Sequence, residues 1–176
     1  MTTEIPIPKD CALHSHQAGA SFADCFFTLV PHSELSALDV YHLMAKATPA
    51  WVEALMRVRN LVVRAFGLKN LGAMAQVQDG PVQLGQRLGL FEVVSIAPTE
   101  LVLQDKDRHL NVIVSLQLQP HSAAQDALTL STVVQTHNAL GRAYMFFVGP
   151  AHKIIVPAVL RRATQTIGAS LRQSPA

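Results

Sequence analysis

The spacing of apolar residues changes period twice along the chain. Residues 22–31 (FADCFFTLVP) form a dense apolar run closed by proline, which predicts a first strand. From Ser33 the apolar positions recur every three or four residues. Ser33 is placed to cap a helix running to about Ala47, its hydroxyl taking an otherwise unpaired amide. Thr48-Pro49 restarts the pattern, with proline at the favoured first helical position. Trp51, Leu55, Val58, Leu61, Val62 and Ala65 then mark one face of a second helix over 49–66, with Gly67 as its expected stop. After Gly80-Pro81 the period falls to two. Residues 87–96, 100–104, 111–119 and 127–136 read as strands, separated by turns at 97–99 and 105–107 and a loop over 120–126. Val112, Val114, Leu116 and Leu118 share a face. A last helix is expected from Asn138 to about Ile167, kinked or restarted at Pro150 and Pro157.

Sequential strands with short connections imply an antiparallel meander, and a sheet that covers one face with a helix is an α+β arrangement. The expected architecture is a curved antiparallel sheet wrapped around a long C-terminal helix, with two helices inserted after the first strand. One domain over 21–169 would carry an extended arm at 1–20 and a frayed tail at 170–176.

Composition sharpens this picture. Hydrophobic residues make up 49% of the 176 and charged residues 15%, with a mean hydropathy of +0.25. That excess calls for a large core, an apolar cavity or a surface covered by a partner such as a second copy. A net charge of +2 from scattered cations shows no nucleic-acid footprint. Cys11 and Cys25 are too few for a disulfide framework, so reduced thiols and a cytoplasmic location are expected. The start lacks a basic and an apolar segment of a signal peptide. No run approaches ~18 uninterrupted apolar residues, so an integral membrane segment is not expected.

The candidate chemistry is sparse. No GxSxG elbow, Walker loop, dinucleotide fingerprint or HExxH is present. His14-Ser-His16 lacks third and fourth ligands, and neither cysteine has a CxxC partner, so neither a metal nor a cofactor is expected. His109 sits where a turn enters a strand, with Asp107 near enough to orient it; the plain alternative is an ordinary polar turn. His137 precedes Asn138, a good N-cap for the last helix. Arg142 suits a carboxylate or phosphate, or equally an ion pair to Asp105 or Asp107. Tyr144 and Phe147 share a helical face that would meet Val112, Val114, Leu130 and Val134 on the sheet, and such stripes most often belong to a core. His152 after Pro150 reads as exposed. Arg161-Arg162 suits a helix C-terminus; as a contact for anionic lipid, two arginines are a weak anchor.

Four stretches carry a resemblance: PAWVEALMRVRNLVVRAFGL (49–68), GLFEVV (89–94), DRHLNV (107–112) and THNALGRAYMFFVGPAHKIIVPAVLRRA (136–163). Together they resemble the bacterial family called domain of unknown function 2867. The element order is also similar to the helix-grip superfamily of START lipid-transfer domains, birch-pollen-type allergens and polyketide cyclases. The resemblance implies a helix-grip fold with an internal cavity and no particular reaction. In the family pattern an acidic residue often follows His-Leu, with a basic one two positions on; here those positions are Asn111 and Ile113.

Three functions follow as expectations. The first is a module that binds a hydrophobic or amphipathic small molecule between sheet and C-terminal helix. His109, His137, Arg142 and Tyr144 would be its polar groups, and Trp51, Phe91 and Phe147 its walls. The second is a cyclase, dehydratase or isomerase using His109 or His137 as acid–base. The third is a non-catalytic protein whose apolar excess forms a homodimer interface.

Overall fold

The computed structural model describes residues 1–65 and 81–173; the expected stop at Gly67 and residues 174–176 of the expected tail lie outside them. The described strands are β1 (Thr3–Glu4), β2 (Phe22–Pro31), β3 (Arg87–Leu88), β4 (Phe91–Ile96), β5 (Glu100–Lys106), β6 (Leu110–Ser122) and β7 (Gln125–Thr136). They form one curved antiparallel sheet in the order β1-β2-β7-β6-β5-β4-β3. Helices α1 (Ala37–Lys46) and α2 (Ala50–Ala65) follow β2, and α3 (Ala139–Gln173) ends the described chain. The architecture is the expected α+β arrangement of curved sheet, long C-terminal helix and two helices after the first long strand.

Alternation along the strands sorts side chains onto two faces. The inner face carries Phe26 and Val30 of β2, Leu116 and Leu118 of β6, and Leu128 of β7. These pack with Val40 and Met44 of α1, Val52 of α2, and Val156, Leu160, Ala163 and Ile167 of α3. Core side chains therefore pack between the sheet and the C-terminal half of α3.

The outer face is covered too, and this corrects the reading of residues 1–20 as an extended arm. β1 pairs with β2, and a 3-10 turn forms over His14–Gln17. Between them Ile7, Cys11 and Leu13 are buried against Cys25, Val102, Ile113 and Val133. The Ala12 amide and the Ser115 hydroxyl both donate to Oε1 of Glu100, at 3.0 and 2.6 Å. Gln119 Nε2 donates to Asp10 at 2.6 Å. A sheet buried on both faces accounts for much of the apolar excess. It also explains Ile113: the position is 7% exposed beneath the N-terminal segment, where a charge would lose its solvation.

Four boundaries differ from expectation for identifiable reasons. Ser36, not Ser33, caps α1: its side chain accepts from the Asp39 amide while Asp39 accepts from the Ser36 amide, a reciprocal capping box. The strand expected over 87–96 is a hairpin, with Gly89 at φ +57° in the turn between Leu88 and Phe91. Leu88 and Leu90 are both buried, so the alternation runs through the turn and hides it. The loop expected over 120–126 is the end of the β6–β7 hairpin, paired through Pro120↔Asp126 and Ser122↔Gln125. Finally, α3 runs unbroken through Pro150 and Pro157 to Gln173. By length and composition α3 is also apolar enough to cross a membrane, and 22% of its most apolar window is buried. Uninterrupted apolar runs are a stricter test than mean hydropathy and passed over it.

Cys11 and Cys25 are free and buried. Burial pushes the Cys25 thiol up to about 11, only partly offset by the Ser131 hydroxyl that donates to its sulfur. Since the thiolate is the reactive form, Ellman's reagent is expected to titrate neither thiol in native protein and both after denaturation in guanidinium. Rapid reaction of the native protein would show that the N-terminal segment does not stay on the sheet.

Candidate functional site

The block richest in candidate residues is the joint where β7 enters α3. Asn138 caps the helix as expected: its Oδ1 accepts from the Gly141 amide at 3.0 Å. That bond orients the amide, so Nδ2 faces Nδ1 of His109 at 2.8 Å and the Arg108 carbonyl at 3.4 Å. On the other side of the ring, Arg108 Nε donates to His109 Nε2 at 2.7 Å. The His109 carbonyl accepts from the His137 amide at 2.8 Å. His109 is 9% exposed, and both ring nitrogens face donors of its own chain. A neutral imidazole can accept at only one nitrogen, and a doubly protonated ring would set N–H against N–H on both sides. This ring is arranged as a tie between turn and helix, with neither nitrogen turned toward an outside molecule.

The other candidates do not converge on it. His137, Arg142 and Phe147 are exposed, and Arg142 makes no ion pair among the described residues. Tyr144 is half-buried on α3, Phe91 lies at the margin of the core, and Trp51 is 43% exposed on α2. The structure joins His109 to Asn138 through side chains and to His137 through the backbone.

Two features escaped the sequence reading. The first is a buried pair between β2 and α3: Asp24 Oδ2 lies 2.8 Å from His152 Nδ1, with Asp24 wholly buried and His152 at 24%. The Phe22 ring meets the imidazole edge-on. Asp24 Oδ1 has no partner. The signal was a carboxylate in the middle of FADCFF, because an acid on the inner face of a strand requires a cation or donor opposite it.

The second is a seam between α1 and the last turns of α3. Its first part is a groove of about 390 Å³ lined by Leu35, Leu43 and Leu171 with Asp39, His42, Lys46 and Ser170. Lys46 and Ser170 also line the adjoining groove of about 440 Å³, with Ala47, Arg162, Gln165, Thr166 and Ala169. One end is leucine-walled and the other is cationic. Lys46 and Arg162 make no ion pair among the described residues. His42 Nε2 is buried at the first groove without a hydrogen-bond partner. Burial lowers the His42 pKa, partly offset by Asp39 and reinforced by Lys46, so a neutral ring is favoured there. Ser36 donates to Asp39 and holds its carboxyl below the usual range. On the core side of α1, Tyr41 donates to the Leu88 carbonyl, and burial pushes its hydroxyl up to about 12. None of the seven candidates lines either groove.

A comparison with curated proteins returned no match. Among solved structures, the chain is similar to one described as a conserved protein from Geobacillus kaustophilus, at 12% identity and a TM-score of 0.45 over 85% of this chain and 97% of that one. The model of the family described as protein of unknown function DUF2867 matches residues 16–159, which takes in the capped joint, the Asp24–His152 pair and most of the sheet, and the chain belongs to that family.

Proposed function

We propose that the protein binds a small amphipathic anion in the seam between α1 and the C-terminal end of α3, with its apolar part on Leu35, Leu43 and Leu171 and its charged end at Lys46 and Arg162. The observation that carries this reading is the pairing of an apolar groove with two uncompensated cations at its open end. Ligand sites combine apolar walls with a few polar groups that fix orientation. The reading keeps a small amphipathic ligand and places it at the α1–α3 seam instead of between sheet and helix. An acid–base role for His109 gains no support from a ring whose two nitrogens both face groups of its own chain.

Dodecanoate is a suitable probe, titrated against purified protein by native mass spectrometry and calorimetry. A one-to-one complex is expected. Lys46→Glu combined with Arg162→Glu should weaken it about tenfold or more, because each reversal removes an attraction and adds a repulsion. Dodecanol, which lacks the charge, should bind more weakly than dodecanoate. Absence of the complex, or equal affinity in the double variant, would sink the proposal.

A further inference from the structure

We infer that the outward side of the N-terminal half of α3 docks onto an anionic membrane surface. Helical spacing puts Ala143, Phe146, Phe147, Pro150 and Ile154 on one stripe. Phe146, Phe147 and Ile154 are 76%, 73% and 66% exposed. The two phenyl rings meet edge to face with centroids 5.2 Å apart, which makes them a single apolar wedge. A helix that buries apolar side chains on one side and displays them on the other asks for a second apolar phase.

Charge selects that phase. α3 carries Arg142, Lys153, Arg161, Arg162 and Arg172 and no Asp or Glu, in a chain whose net charge is only +2. Arg161 lies seven residues after Ile154 and so continues the same stripe, while Arg142 sits one turn before Phe146. Lys153 is committed to Glu4 at 3.0 Å, but Arg142 and Arg161 have no ion pair among the described residues. An interfacial helix combines such aromatic and aliphatic groups with cations, and anionic headgroups supply the counter-charge. A second copy of the chain fits less well: a symmetric contact would set this cationic stripe against itself with no acid on either helix to neutralise it. Spanning is also disfavoured. Val156, Val159, Leu160, Ala163 and Ile167 of the same helix are held in the core, so the contact lies along the surface.

The test is co-sedimentation with phosphatidylcholine vesicles prepared with and without phosphatidylglycerol. Wild-type protein is expected to pellet with the anionic vesicles, to be released by raised salt, and to stay in solution with the neutral ones. Phe146→Ser with Phe147→Ser, and separately Arg161→Glu, should each lower the partition coefficient about tenfold. Because these side chains are exposed, circular dichroism and melting temperature should match wild type. Equal partition onto neutral vesicles, no partition at all, or binding that survives alkaline carbonate would overturn the inference. So would a concentration-dependent dimer that the double serine variant abolishes while vesicles stay unbound.

Discussion

Adding one methyl group at Gly141 is expected to destabilise the protein, although Gly→Ala inside a helix ordinarily stabilises. A Cβ at this position would fall inside the van der Waals envelope of the His109 carbonyl oxygen, with the carbonyl carbon at 3.1 Å and the Thr136 Cβ at 3.4 Å. The nearest obstacles are backbone atoms of the β5–β6 turn, which cannot swing aside as a long side chain does. The helix must retreat, and the retreat stretches the bond from the His137 amide to the His109 carbonyl and the Asn138–His109 contact. Helix propensity favours alanine by about 1 kcal/mol, while forced overpacking costs about 1–3 kcal/mol before lost hydrogen bonds are counted. The steric term wins, and a net loss of about 2 kcal/mol is expected in urea denaturation. Gly149→Ala is the internal control. Its Cβ would meet only the Phe22 ring, at 3.4 Å, an ordinary contact with a side chain. There propensity should dominate, with a change between zero and about 1 kcal/mol of stabilisation. If Gly141→Ala behaved like Gly149→Ala, the close approach of turn and helix would not exist in solution.

The legibility of the fold follows from which pattern each element obeys. β2 could be read to the residue because an apolar run ends at Pro31. The inner face of β6 was equally plain, because one row of apolar residues alternates with Asn111, Ser115 and Gln117. That same alternation concealed the outer layer: Ser115 and Gln117 are buried at 0% and 4% beneath the N-terminal segment, which the polar letters did not suggest. Ser36 went unrecognised because its signal is the pair with Asp39 rather than the serine alone. The sites were less legible than the fold for a different reason. Asn138 and Gly141 are three residues apart, so the joint could be read as a joint, while His109, 29 residues before Asn138, meets it only in space. The α1–α3 seam brings Leu35, His42 and Lys46 against Arg162 and Leu171, which no local period connects. Candidates chosen one residue at a time therefore could not converge on it.

Replacing His152 alone is expected to cost far more than replacing it together with Asp24. The Asp24 carboxylate is fully out of solvent, holds one contact at 2.8 Å to His152 Nδ1, and has a second oxygen with no partner at all. His152→Leu fills a similar volume but leaves that carboxylate with neither counterpart nor water. Removing one partner of a buried pair costs about 3–5 kcal/mol, because the group left behind keeps its full desolvation penalty. The partly exposed imidazole softens this, and a loss of about 3 kcal/mol is the expected result. Asp24→Val alone should be milder, since His152 can turn its ring toward solvent. With both changes, Asp24→Val and His152→Leu, neither member of the pair remains to be desolvated between β2 and α3, beside Phe22 and Phe26 on the inner face. Stability should then return to within about 1 kcal/mol of wild type or exceed it. The double-mutant cycle reads this as a coupling of about 2 kcal/mol or more between the two positions. Additive losses in the double variant would mean that each side chain stabilises through separate contacts. In that case the pair is not the element that ties the middle of α3 to the sheet.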